Sequence, residues 1–330
     1  MEEDIWTVRR ILAWIEEYLA KHGIENARLS AQWLVAEALG ISRMQLFMDM
    51  ERPLTSDERA ALRDYTRRRG TGEPLQYITG TVDFRHVTLK VKQGVLIPRP
   101  ETEVLVSEAL ALLPAPAKPQ DALDASLMRQ YLQLKADAGE LPEEAGFEDL
   151  DALGAPQDLL VADLCTGSGC IACSIAFEHP KTHVVATDLS PDAADLAREN
   201  ALLLGLSERI DVLECDLASG IEESLLGAFD LVVSNPPYVP TDVLDGIPKE
   251  VADFEPSLAL DGGPDGLDVF RQLLPWCDKA LKPGGAFAFE LHETCLDQAA
   301  EEARQAGFVD VQFKEDLALR TRILIARKNR

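Results

Sequence analysis

Cysteine is too scarce in this sequence to build a disulfide scaffold: six are spread over 330 residues (Cys165, Cys170, Cys173, Cys215, Cys277 and Cys295), a pattern that fits reduced thiols inside a cell. Cys170 and Cys173 form a C-x-x-C, but no second Cys/His pair stands at zinc spacing, so they read as buried small apolar residues and no metal site is expected. No run approaches the roughly 18 uninterrupted apolar residues of a membrane span. The start Met-Glu-Glu-Asp lacks the basic and apolar regions of a signal peptide. The expectation is a cytoplasmic protein with no membrane attachment. Positive charge is also short, with 32 Lys and Arg against 57 Asp and Glu, a formal net charge of −25. The deficit is uneven: residues 1–80 carry 11 basic and 13 acidic groups, residues 158–330 carry 14 and 31. Proteins that neutralise many phosphates display a basic face, so extended nucleic-acid binding by the C-terminal part is disfavoured. The run Arg67-Arg68-Arg69 is the most basic spot and reads as a solvated helix end.

What is present divides the chain. A length of 330 residues exceeds what one core usually serves, so two domains are expected. From Ile5 to about Arg69 apolar residues recur at helical spacing (Trp6, Ile11, Trp14, Ile15, Tyr18, Leu19, then Leu29, Trp33, Leu34 and Ala38), which predicts a small helical bundle over residues 1–75. Pro53-Leu54-Thr55-Ser56 supplies cap chemistry for a helix beginning near Asp57. Over 76–113 the period changes to two, with Val87, Leu89 and Val91 alternating with polar residues, before Pro98-Arg-Pro-Glu-Thr-Glu103 opens a helix. A hairpin and a linker helix are predicted. Residues 114–157 hold nine acidic and three basic residues with proline-rich ends and read as an acidic, partly helical insertion or linker. From 158 to 330 short apolar runs alternate with helical ones, predicting about seven strands in a mostly parallel sheet covered on both faces.

Two motifs carry chemistry. Val161-Ala-Asp-Leu-Cys-Thr-Gly-Ser-Gly169 places two glycines, Gly167 and Gly169, at the first strand-to-helix turn, where a nucleotide-type ligand can approach backbone and helix N-terminus. Gly167-x-Gly169-x-x-Ala172 with Asp188 about 20 residues on also satisfies the relaxed dinucleotide fingerprint, the carboxylate accepting from ribose hydroxyls. Alone, this motif does not separate NAD from S-adenosylmethionine. Asp163 at the strand end suits a cation better than a pyrophosphate, and Cys165-Thr166 fill places that a phosphate cradle gives to glycine; both tilt the reading to S-adenosylmethionine.

Asn235-Pro236-Pro237-Tyr238 follows the apolar strand Leu231-Val-Val-Ser234 at the edge where open α/β sheets place ligands. The prolines stiffen the backbone and remove two donors. The Asn235 side-chain carbonyl and the Pro236 carbonyl can accept both hydrogens of a substrate NH₂, and Tyr238 offers an aromatic face to a flat substrate or a sulfonium. Such a site suits methyl transfer to a planar, poorly nucleophilic nitrogen: two acceptors orient it and stabilise the charge that grows on it.

Together these two motifs resemble the class I N-methyltransferases. With Gly72-Glu-Pro-Leu-Gln-Tyr-Ile-Thr-Gly80, Leu96-Ile-Pro-Arg-Pro-Glu-Thr-Glu103 and Phe254-Glu-Pro-Ser-Leu-Ala-Leu260, the chain resembles the peptide-chain release factor N5-glutamine methyltransferases over most of residues 5–113 and 159–328. The resemblance implies a Rossmann-like, seven-stranded α/β domain with a small N-terminal helical bundle and a linking hairpin. It implies S-adenosylmethionine bound by Asp163, Leu164, Cys165, Thr166, Gly167, Gly169, Asp188, Asp216, Leu217 and Asn235. The glutamine site falls on Asn235, Pro236, Pro237 and Tyr238, of which Asn235, Pro236 and Tyr238 carry catalysis. It further implies that the substrate is the glutamine of the Gly-Gly-Gln loop of class-1 release factors, docked in part by the bundle, and that Pro98 to Glu103 border the methionine end of the cofactor pocket. Three departures stand out: Cys165 replaces a commoner glycine, His292 and Glu293 follow Glu290 where a glycine is frequent, and residues 114–157 exceed the usual connector. The rival readings are an RNA or DNA exocyclic-amine methyltransferase and a non-enzymatic helical adaptor on a degenerate methyltransferase fold.

Overall fold

A computed structural model describes residues 5–115 and 158–330. The acidic insertion expected at 114–157 therefore lies almost wholly outside the described residues. Four helices form the N-terminal bundle: α1 (Val8–Lys21), α2 (Ala27–Leu39), α3 (Arg43–Met48) and α4 (Ser56–Gly70). Thr55 caps α4 and Glu58 reaches back to the Thr55 backbone, a reciprocal box repeated at α3 by Ser42 and Gln45. Ile11, Ile15, Leu19, Leu34, Val35, Leu46 and Leu62 fill the interior. Three residues on the predicted helical stripes are only half-covered: Trp14, Leu29 and Trp33 lie at the surface, where Trp14 stacks on Tyr18 and Arg43 sits 5.1 Å over the Trp33 ring. The aliphatic side chains of the same helices already fill the small core, and the indoles are left at its rim.

The bundle hands over to a short helix α5 (Leu75–Thr79), which the sequence reading assigned to no element, then to the hairpin β1 (Thr81–Phe84) and β2 (Val87–Lys90), paired antiparallel. Arg85, in the hairpin turn, grips Glu178 with two bonds of 2.6 and 2.7 Å and donates to the Glu103 carbonyl at 2.6 Å, which fixes the hairpin to helix α6 (Pro100–Leu112). Phe84, Val87, Leu89, Leu105, Val106 and Ala109 belong to one core with the sheet, so hairpin and linker helix are packed on the C-terminal domain.

That domain is a seven-stranded sheet in the order β5-β4-β3-β6-β7-β9-β8: β3 (Leu159–Leu164), β4 (Thr182–Asp188), β5 (Ile210–Glu214), β6 (Phe229–Ser234) and β7 (Leu281–Glu290) run parallel, and β9 (Thr321–Arg327) is antiparallel to β7 and to the edge strand β8 (Val309–Glu315). Alternation along β3 is direct: Leu159 and Val161 enter one core, Ala162 and Leu164 the other. The sheet is Rossmann-like, as expected. Its faces are covered by α7 (Cys170–Glu178), α8 (Pro191–Leu203), α10 (Asp268–Ala280) and α11 (Leu296–Gln305), with a short α9 (Lys249–Phe254) between β6 and α10. Cys170 and Cys173 are buried among apolar residues on α7. The topological switch lies between β3 and β6, which register Leu164 beside Ser234 and so bring both motifs to one edge. Among the described residues no helix is long and apolar enough to cross a membrane.

Gly169 sets the distance between α7 and α8. Its φ is +79°, and a Cβ there would stand 3.0 Å from the Ala197 Cβ and 3.1 Å from the Ala197 Cα. Gly169→Ala should therefore destabilise the protein by about 2 to 4 kcal/mol, combining left-handed strain with overpacking against a backbone. Thermal or denaturant unfolding checks this; an unchanged midpoint would show that the two helices separate freely.

Candidate active site

The C-terminal ends of β3, β4 and β6 open onto a cleft. Cys165, Gly167, Asp188, Asp216, Leu217, Asn235 and Pro237 line it, and so do Val95, Leu96, Leu258 and Ala259 from the two further sequence segments. A clasp holds those segments together: Arg99 bonds the Glu255 carboxylate at 2.5 Å, and the Ile97 N–H donates to its other oxygen at 3.2 Å. The Glu255 side chain is almost fully buried. The separate motifs Ile-Pro-Arg-Pro-Glu-Thr and Phe-Glu-Pro-Ser are thus two halves of one wall.

Asp188 orders the Gly-rich turn. One carboxylate oxygen accepts from the Gly167 N–H at 2.8 Å and the other from Ser190 N–H at 2.9 Å, while the group still faces the cleft. Burial raises its pKa, and the backbone donors oppose the rise. Cys165 adopts φ +60°, the left-handed region that favours glycine, which accounts for the commoner residue there. Leu217, at φ +48°, is held beside Asp216.

Other residues grouped with the cofactor by sequence do a different job. Asp163 is 0% exposed and does not line the cleft: one oxygen accepts from the Thr166 hydroxyl at 2.6 Å and the Ala172 N–H at 3.0 Å. It staples the turn to α7 from beneath, and its other oxygen is buried without a partner among the described residues. Leu164 is core, and Thr166 is buried under the turn. Gly169 faces Ala197, away from the ligand space.

Asn235 lines the cleft beside Pro237, whereas Pro236 is buried and, among the described residues, nothing donates to its carbonyl. Tyr238 packs half-buried on the core, with its hydroxyl on Glu290 at 3.0 Å. Its backbone is wedged: a Cβ at Gly262 would come within 2.7 Å of the Tyr238 Cα, and Val239 exchanges backbone hydrogen bonds of 2.9 Å with Leu260 and Gly262. The Asn235 amide nitrogen donates to the Thr102 hydroxyl at 3.0 Å, and that hydroxyl donates to Glu290 at 2.8 Å. The resemblance set Thr102 within the Pro98 to Glu103 border of the cofactor pocket without a role of its own, and it gave Glu290 no place in the site.

Each member of the arginine run has an acidic partner. Arg67 pairs with Asp64 and Arg68 with Glu73, while the almost buried Arg69 meets the Glu73 carbonyl and Glu250. Arg68 and Arg69 thus tie the end of α4 to the segments that follow instead of forming a solvated end.

The cleft fits S-adenosylmethionine. The Thr187 hydroxyl is buried at its wall without a partner among the described residues, Asp188 and Asp216 offer carboxylates to hydroxyl and cationic groups, and apolar Leu96, Leu217 and Val269 flank them.

Burial lifts the Asp163 carboxyl to about 7, although the Thr166 and Ala172 donors oppose the shift. A carboxyl whose folded pKa exceeds its unfolded value holds a proton only in the folded state between the two, so stability falls as pH rises through that window. Asp163→Asn should remove this contribution. Unfolding free energies measured from pH 4 to pH 7.5 should decline more steeply for the parent than for the variant; parallel curves would mean an ordinary pKa at Asp163.

Two family descriptions match the chain: PrmC N-terminal domain over residues 10–80 and methyltransferase small domain over residues 150–246. The release factor glutamine methyltransferase of Geobacter sulfurreducens is 36% identical over 313 residues, covering 95% of this chain and 94% of that protein. That of Chlorobaculum tepidum is 37% identical over 318 residues, covering 96% and 95%. A solved release-factor-specific protein-(glutamine-N5) methyltransferase from Alicyclobacillus acidocaldarius is 26% identical, covers 71% of this chain and 95% of its own, and superposes loosely, with a TM-score of 0.35. On its near-full-length identity to such relatives, the chain belongs to the release factor glutamine methyltransferase family.

Proposed function

We propose that the chain transfers a methyl group from S-adenosylmethionine to the side-chain amide nitrogen of the glutamine in the Gly-Gly-Gln loop of class-1 release factors. One observation carries the reading: Asn235 stands in the same cleft as the turn held by Asp188, with its amide nitrogen already committed to Thr102. Its carbonyl is left to accept from a substrate NH₂. The Pro236 carbonyl, free of donors among the described residues, supplies the second acceptor. Bound in the cleft, the cofactor supplies an electrophilic methyl group. The chain's own groups bind it through Asp188 and Asp216, orient the amide nitrogen through the two carbonyls, and stabilise the charge growing on that nitrogen. Leu258, Ala259 and Val269 exclude water from the same space.

A base on RNA or DNA carries a comparable amine, but the acidic C-terminal part and the internally paired Arg67, Arg68 and Arg69 offer no basic track for a phosphate backbone. We assign substrate docking to the bundle of residues 1–75, since a single glutamine loop buries far less than the roughly 1,200 Å² of a small specific interface.

Two substitutions separate binding from turnover. Asp188→Ala should weaken S-adenosylmethionine binding by about 1.5 to 3 kcal/mol per lost charge-assisted bond and loosen the Gly167 turn; calorimetry giving the parental affinity would remove Asp188 from the cofactor site. Asn235→Ala should lower single-turnover methylation of release factor by about 10² to 10³, far more than it weakens cofactor binding. Near-parental rates at saturating release factor would refute its assigned role.

A further inference from the structure

The residues that orient Asn235 lie outside its motif. Thr102 is buried on the first turn of α6, and Glu290, 1% exposed, ends β7. The Glu290 carboxylate meets two hydroxyls, accepting at one oxygen from Thr102 (2.8 Å) and at the other from Tyr238 (3.0 Å). A hydroxyl has one hydrogen to give. Once the Thr102 hydrogen is directed at the carboxylate, its oxygen can only accept, and the atom of Asn235 lying 3.0 Å away must be a donor. The side-chain amide is planar, so fixing Nδ2 on Thr102 turns Oδ1 to the other side.

We propose that Thr102 and Glu290 are positioning residues for methyl transfer: the ordered chain Glu290, Thr102, Asn235 sets which end of the Asn235 amide faces the substrate. The proposal rests on the role given to Asn235 above. With the amide reversed, an NH₂ would confront the substrate NH₂, donor against donor, and the reacting nitrogen would lose one of its two acceptors. Glu290 also holds the Tyr238 hydroxyl, so one buried carboxylate aligns both ends of the Asn-Pro-Pro-Tyr segment. Thr102 belongs to the linker helix and Glu290 to the sheet, which makes the contact between these elements part of the catalytic geometry.

The test compares Thr102→Val, which keeps the shape and removes the hydroxyl, with Thr102→Ser, which keeps the hydroxyl; Thr102→Ala serves as a second hydroxyl-free variant should the buried valine prevent folding. Full-length proteins are assayed for methylation of intact release factor, for S-adenosylmethionine affinity by calorimetry, and for the Asn235 side-chain NH₂ resonances by NMR. The expected result is a fall in kcat on the order of 10²-fold for the hydroxyl-free variants, as for a displaced reacting group. Cofactor affinity should be unchanged, the Asn235 NH₂ signals shifted or broadened, and both rate and signals restored by serine. Parental kcat in a hydroxyl-free variant, or parental Asn235 signals, would overturn the proposal, and so would a serine variant as slow as valine. If the parent protein binds cofactor yet fails to methylate release factor, the substrate reading falls, while the Asn235 resonances still decide whether Thr102 orients the amide.

Discussion

Taking a carboxylate out of water is costly unless donors meet its oxygens, and this requirement organises the C-terminal edge of the sheet. Asp163, Glu255 and Glu290 are buried there, and Asp188 is half-buried. Glu255 is answered by Arg99 and Ile97 and Glu290 by Thr102 and Tyr238, groups distant in sequence, whereas Asp188 is met by Gly167 and the nearby Ser190, and Asp163 by Thr166 and Ala172 at one oxygen only, the other having no partner among the described residues. Asp163 and Asp188 fix the Gly-rich turn, Glu255 the cleft wall and Glu290 the Asn-Pro-Pro-Tyr segment. Mutation of a donor would leave a buried carboxyl oxygen unpaired, so these few residues govern the shape of the whole cleft.

The sequence disclosed the frame of the sheet because its signals are local. Short apolar runs such as Leu231-Val-Val mark buried parallel strands, and β6 ends at Ser234 as that run predicts. Signals are weaker in helix α10, where Phe270, Leu273, Leu274 and Cys277 repeat at helical spacing but Pro275 interrupts the pattern and a glycine-rich loop precedes it. The start of β7 is masked in a related way: Lys-Pro-Gly-Gly resembles a turn, whereas here it runs inside a strand.

The candidate site takes Gly167 and Asn235 from one contiguous motif each and Asp188 from its spacing, and all three line the cleft. It does not take Asp163, Leu164 and Gly169 as lining residues, since they stand in the turn's own architecture. It was illegible where partners are far apart in sequence. Thr102 and Glu290 are 188 residues apart, Arg99 and Glu255 are 156 apart, and only the topology brings them together. Resemblance marked the segments around Thr102 and Glu255 without supplying their physical role; the clasp and the hydrogen-bond chain supply it.

The wedge that holds Tyr238 against Gly262 has a consequence for how the two proteins meet. Two consecutive prolines, backbone contact on the Gly262 side and the Val239 hydrogen bonds leave this segment little conformational entropy to lose. In the role proposed for Asn235 and Pro236, its acceptors are preorganised, so the ordering cost of the encounter falls almost entirely on the incoming loop. Glycines flanking a target glutamine make such a loop pliable enough to reach a recessed acceptor pair, but they also make its immobilisation expensive. Affinity must then be gathered away from the cleft, and selectivity depends on which partners can offer both a pliable loop and a second contact surface.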